Sequence, residues 1–176
     1  QIPSFNFYNL LKDEKSFDKL FLRDMDRNYY LTGLKNSTSN LQETINLIKK
    51  MSSIKKYKKK VSIGSSAGGF AAILFGHLLK FSKVIAFNPH TLASKKLRNL
   101  YISNILYQKC LDLKNLIPFN TKADIHYSNL SEIDKTNAKY IEHNNCRLIK
   151  HNSSSHLLAI QLRDSKDLKA IIKESL

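Results

Sequence analysis

The feature that most constrains this chain is the run Gly64-Ser65-Ser66-Ala67-Gly68, set between two apolar segments. Before it stands Val61-Ser62-Ile63, a β-branched stretch of strand character. After it, Phe70-Ala71-Ala72-Ile73-Leu74 continues an apolar helix whose early positions are small. Four of the five glycines (Gly64, Gly68, Gly69 and Gly76) fall in this one region. A phosphate-binding turn between strand and helix needs G-x-G-x-x-G or G-x-x-x-x-G-K-[ST], and neither fits. A serine at the tip of a sharp strand-to-helix turn with small neighbours is a nucleophile elbow. Ser66 is therefore the expected nucleophile.

The rest of the chain alternates strand and helix around that turn. Residues 19–23 (Lys-Leu-Phe-Leu-Arg) read as a strand ending at Asp24. Ser39 or Asn40 then caps a helix whose apolar positions Leu41, Ile45, Leu47, Ile48 and Met51 keep helical spacing, with Gln42 and Glu43 placed for a capping box. Strands follow at 60–63, 83–87, 123–127 and 146–150, and helices at 67–79, 93–111, 133–143 and 155–173; residues 3–11 are a candidate edge strand. Such alternation predicts an α/β fold with a mostly parallel sheet, helices on both faces, and ligands at the carboxyl ends of the strands. At 176 residues, with no repeat or linker, residues 1–176 read as a single domain. The chain opens on Gln1, so upstream residues are expected to be missing from it.

A serine is a weak nucleophile unless a histidine takes its proton and a carboxylate orients that histidine. In this topology the order is Ser, acid, His, each on a loop after a strand. Of six histidines, His77 lies within the elbow helix, His126 within a strand, His143 at a helix end and His151 at the end of the last strand. His156 follows that strand in the polar run Asn152-Ser153-Ser154-Ser155-His156 and is the expected base, with His151 as the fallback. The loop after residues 123–127 offers Glu132 and Asp134, of which Asp134 is preferred. Against it, Ser131-x-x-Asp134 also resembles a capping box. The oxyanion needs two fixed N–H donors. The backbone of Ala67 is the expected first, and Asp24 or Met25 the second.

Charge sets a further expectation. Twenty-nine Lys and Arg against fourteen Asp and Glu give a net +15. The lysines are spread along the chain, with one dense run, Lys55-Lys56-Tyr57-Lys58-Lys59-Lys60, read as a solvated helix end. An anionic polymer is a partner that such a charge permits. Cys110 and Cys146 form no metal-binding spacing and read as reduced thiols, which suits a cytoplasmic protein. No apolar run reaches membrane-spanning length. No metal and no cofactor is expected.

Four blocks carry a family resemblance: Leu22-Arg23-Asp24 with Tyr29-Tyr30-Leu31-Thr32-Gly33-Leu34; residues 63–72; Val84-Ile85-Ala86-Phe87-Asn88-Pro89-His90-Thr91; and residues 134–141 with His156 and Leu162-Arg163. In these the chain resembles the α/β-hydrolase superfamily. More narrowly, it is similar to small bacterial hydrolase-like proteins linked with surface-polysaccharide or glycoconjugate genes, over residues 17–172. The resemblance implies a compact three-layer α/β-hydrolase-like sandwich, with Ser66 as nucleophile, His156 as base and Asp134 as acid. It implies hydrolysis of a carboxylic ester, with O-acyl groups of a carbohydrate as a substrate class. It also draws attention to Arg23, Asn88 and His90 as substrate-binding positions. The sheet is small and no lid insertion is recognisable, so a shallow site for a large or polymeric substrate is expected. An acyltransferase using the same acyl-enzyme, and a non-catalytic binding or assembly module on the same scaffold, are the alternatives.

Overall fold

The computed structural model describes residues 7–99 and 104–175. Four parallel strands, β1 (Val61–Ser65), β2 (Lys83–Phe87), β3 (Lys122–Ser128) and β4 (Cys146–His151), form a sheet in the order β1-β2-β3-β4. The helices are α1 (Tyr8–Leu11), α2 (Leu41–Met51), α3 (Ala67–Leu78), α4 (Lys95–Arg98), α5 (Ile105–Cys110), α6 (Glu132–Tyr140), α7 (Leu158–Asp164) and α8 (Asp167–Lys173), with a 3-10 turn at Leu113–Leu116.

Strand order equal to chain order means that every crossover advances in the same direction. Right-handed crossovers then deliver their helices to one face of the sheet. Accordingly Phe70, Ile73 and Leu74 of α3, Tyr107 of α5 and Ala138 of α6 share one buried cluster with Val84, Ala86, Ala123 and Ile125. The alternate strand positions, Ile85 and Phe87, point to the other face and meet Leu11, Leu158, Leu162, Leu168 and Ile172 of α1, α7 and α8. The period of two along β2 thus builds a three-layer arrangement.

Several expected elements differ. Residues 19–23 are irregular: without a partner strand their apolar pattern forms no ladder. Of the candidate edge strand, Tyr8–Leu11 is a helical turn and residues 3–6 lie outside the described residues. The helix expected over 93–111 is two short ones, with residues 100–103 outside the described residues. The final helix begins only at Leu158 and breaks at Lys166, which has a left-handed φ of 69°. The cap of α2 is Asn40, whose side chain accepts from Glu43 N–H at 2.9 Å, while Glu43 Oε2 accepts from Ser39 N–H at 2.7 Å. The lysine run lies in the connection after α2 rather than in its last turn.

Candidate active site

Ser66 sits between β1 and α3 with φ 55° and ψ −121°, backbone angles that cost a non-glycine residue about 1–3 kcal/mol. Its main chain is tied on every side. Ser66 N–H donates to Phe87 O at 3.0 Å, and Ser66 O accepts from Phe70 N–H at 3.1 Å and from His90 N–H at 3.2 Å. Gly64 makes the turn possible, since a Cβ there would lie 1.9 Å from the carbonyl oxygen of Gly68. Gly68 is not needed for the same reason: a Cβ there meets nothing within 4 Å. The close contact is made instead by Gly69, whose added Cβ would stand 3.0 Å from Pro89.

A serine at a helix N-cap normally bonds back to the first turn. Here Ser66 makes no side-chain cap. Its Oγ lies 2.8 Å from His156 Nε2, and His156 Nδ1 lies 2.7 Å from Asp134 Oδ1. The side chain of Asp134 is 1% exposed and that of His156 39% exposed, so the imidazole faces solvent while the carboxylate is sealed behind it. The second oxygen, Asp134 Oδ2, has no hydrogen-bond partner among the described residues. Ser131 Oγ does accept from Asp134 N–H, at 3.4 Å, but the carboxylate turns to His156 instead of completing a capping box. The structure therefore brings Ser66, His156 and Asp134 together. Glu132, 81% exposed, pairs with Lys135 on the surface. The fallback, His151, is paired through Nε2 with His126 Nδ1 at 2.9 Å.

Ala67 is the first residue of α3, so its N–H has no acceptor within the helix and stands beside Ser66. The helix dipole favours negative charge at the same place. Asp24 is buried, with Oδ2 accepting from Tyr30 N–H at 3.0 Å. Its segment borders the site, because Tyr29 Oη lies 2.7 Å from His90 Nδ1. Arg23 is half-buried, and its charge acts on Tyr30, whose phenol burial and the Asp24 charge together hold above the usual range.

Of the two positions after β2 marked by resemblance, one lies away from the pocket and one borders it. Asn88, expected at the pocket wall, is 0% exposed. Its Oδ1 accepts from Ser128 N–H at 2.8 Å, and Nδ2 reaches Ser128 Oγ, Ser155 O and His156 O at 2.9, 3.1 and 3.0 Å. A side chain so enclosed holds the His156 loop to β3 and cannot touch a substrate. His90 does border the reacting atoms, with Nε2 3.4 Å from Ser66 Oγ and its ring 5.4 Å from that of His156. Burial, with the neighbouring His156, holds the His90 imidazole below the usual value. Nothing in the local sequence marks Tyr29 as a site residue, since it lies 61 positions from the residue it touches.

Among the described residues, no group of three or more His, Cys, Asp or Glu could hold a metal ion, and no helix is long and apolar enough to cross a membrane. Cys110 and Cys146 are free thiols, both pushed up to about 12 by burial.

No protein-family model matches the chain, and no curated protein sequence does. Solved structures do. The capsule O-acetyltransferase of Neisseria meningitidis serogroup A, in complex with caged gadolinium, has a TM-score of 0.64 at 17% identity, covering 94% of this chain and 79% of that one. A second structure of that enzyme gives 0.59 at 17% identity, covering 83% and 68%. A histidine-to-alanine mutant in complex with CoA gives 0.56 at 14% identity, covering 81% and 68%. At such identities the likeness is one of fold.

Proposed function

We propose that this protein transfers an acyl group onto a carbohydrate hydroxyl through an acyl-enzyme on Ser66. The observation that carries the reading is the hydrogen-bonded series Ser66 Oγ, His156, Asp134, at 2.8 and 2.7 Å, on a strained turn beside a helix N-terminus. The fold likeness to an enzyme named as a capsule O-acetyltransferase, one of whose mutants is bound to CoA, favours transfer over the simple ester hydrolysis expected from the sequence.

The steps follow from the geometry. Ser66 Oγ attacks the carbonyl carbon of an acyl thioester while its proton passes to His156 Nε2, and Asp134 stabilises the imidazolium that forms. Negative charge on the carbonyl oxygen falls near the Ala67 N–H and the α3 terminus. The tetrahedral species collapses by breaking the carbon–sulfur bond, and His156 returns the proton to the leaving thiolate. An acceptor hydroxyl then gives its proton to His156 and attacks the Ser66 ester. Breaking the carbon–Oγ bond, with the proton returned to Oγ, yields the O-acylated sugar and free enzyme. The 39% exposure of His156 leaves room for a bulky acceptor.

A direct test supplies acetyl-CoA with and without a panel of hexose and N-acetylhexosamine oligosaccharides, and measures free thiol and O-acetyl ester. Thiol release that rises with sugar and produces sugar ester is expected. Thiol release with free acetate alone, indifferent to every sugar, would return the reading to hydrolysis.

A further inference from the structure

The mechanism above uses one histidine at Ser66 and leaves a second in contact with it. We infer that Tyr29 and His90 form a second relay to Ser66, in which His90 Nε2–H donates to Oγ and stabilises the negative charge passing through that atom. His90 would then be a catalytic residue distinct from the base, and Tyr29 the residue that positions it. The inference rests on Ser66 being the nucleophile.

Counting protons at the site fixes the direction of each bond. The Asp134 carboxylate accepts from His156 Nδ1, so His156 Nε2 presents a lone pair and takes the single hydroxyl proton of Ser66. Ser66 Oγ has no second proton to give. A lone pair on His90 Nε2, 3.4 Å away, would face the lone pairs of that oxygen, whereas an N–H there completes the set. With the proton on Nε2, His90 Nδ1 must accept, and the Tyr29 hydroxyl at 2.7 Å donates to it. Because burial and the adjacent His156 hold the His90 imidazole below the usual range, the ring is neutral at neutral pH and carries one N–H. By donating to Nδ1, Tyr29 supports the tautomer that Ser66 requires.

The chain goes to some cost to put Tyr29 there. Arg27, Tyr29 and Tyr30 have left-handed φ values of 54°, 58° and 64°. Bulky residues in that region are strained, and persist where the surroundings fix them. They are fixed here by the bond from Tyr30 N–H to Asp24 Oδ2 and by edge-on contacts of Tyr29 with Phe70 and Tyr30 with Phe75, at 5.3 and 6.3 Å between ring centres. His90 is held independently, by its own N–H on Ser66 O and by Pro89 packed against Gly69.

Charge passes through Oγ twice, once as it attacks the donor and again as it leaves the acyl-enzyme. One fixed N–H aimed at such a charge is typically worth about a hundredfold in rate. The resting separation of 3.4 Å is long for a hydrogen bond, and such contacts tighten as charge develops. A loss of about ten- to a hundredfold on removing the donor is expected.

The test has two arms. Long-range 1H–15N correlation of the imidazole side chains at pH 7.5 should show the His90 proton on Nε2, shifting toward Nδ1 in Tyr29→Phe. A wild-type His90 protonated on Nδ1 overturns the relay without reference to turnover. In the second arm, a fluorophosphonate probe labels Ser66. The rate should fall about ten- to a hundredfold in His90→Phe and recover in part in His90→Gln, which keeps an amide donor. Labelling indifferent to His90 overturns the relay alone. A wild-type protein that is not labelled overturns the role of Ser66, and the relay's role with it. Should His90→Phe fail to fold, His90→Gln and Tyr29→Phe carry the same comparison.

Discussion

His156 and His90 approach one serine oxygen from two sides, at 2.8 and 3.4 Å, and differ in what stands behind each ring. Behind His156 is a buried carboxylate, which accepts a hydrogen bond from Nδ1–H and would stabilise positive charge on the ring. Behind His90 is a phenol, which in the proposed relay donates a hydrogen bond to Nδ1, keeps its own proton and offers no such charge. In the proposed mechanism the far-side partner sets the near-side chemistry: a carboxylate suits His156 to act as a base, and a hydroxyl donor suits His90 to act as a hydrogen-bond donor. Their loops differ as well. His156 depends on Asn88 reaching across from the end of β2, while His90 is bonded directly to the elbow.

The largest effect expected from breaking this contrast is at the base. His156→Ala should lower acyl transfer by about ten-thousandfold or more, read as initial rate with a chromogenic acyl ester, because no other lone pair faces Oγ. Asp134→Asn should cost on the order of a thousandfold, since an amide donating to Nδ1 forces the wrong tautomer on His156. Retention of near-normal rate in Asp134→Asn would remove the distinction between the two flanks. Asn88→Ala should lower activity by about tenfold and stability by about 2–3 kcal/mol, measured by urea unfolding, because the buried Ser128 N–H loses its acceptor.

The smallest effect on turnover comes from an imidazole with neither kind of partner, whose signature lies in stability against pH. His126, bonded to His151 and stacked on Phe87, has a pKa pushed from 6.5 to about 4 by burial first and then by the neighbouring His151. Asp124 opposes that shift, while Arg147 and Lys83 add to it. The unfolded chain thus binds this proton more readily than the folded one. The contribution is complete above about pH 6.5 and is lost as pH falls toward 4. Urea midpoints should decline over that range in the wild type and less in His126→Gln, with a difference of at most about 3 kcal/mol. Parallel declines would contradict the account.

What could be read from the sequence was mostly local. Glycines, a strand-like triplet and an apolar helix within residues 61–74 specify the elbow because a few adjacent residues determine the turn. The serine-rich loop before His156 and the acids after residues 123–127 could be placed because chain order fixes which strand ends they follow. The segment 19–23 misled because a strand needs a neighbour, and the sheet ends at β1. Asn88 misled in the opposite way: its position after β2 was right, but its enclosure depends on Ser128, Ser155 and His156 converging on it. Tyr29 carried no local signal, because its significance arises only where a strained loop meets a residue far along the chain.

The central claim is that acyl groups pass through Ser66 to a sugar hydroxyl. Intact-mass and peptide mapping after mixing with acetyl-CoA should find an acetyl adduct on Ser66, absent in Ser66→Ala, which disappears when an acceptor oligosaccharide is added as the sugar ester appears. An adduct that decays to free acetate at the same rate with and without every acceptor, or an acetyl group found on another residue, would contradict the account.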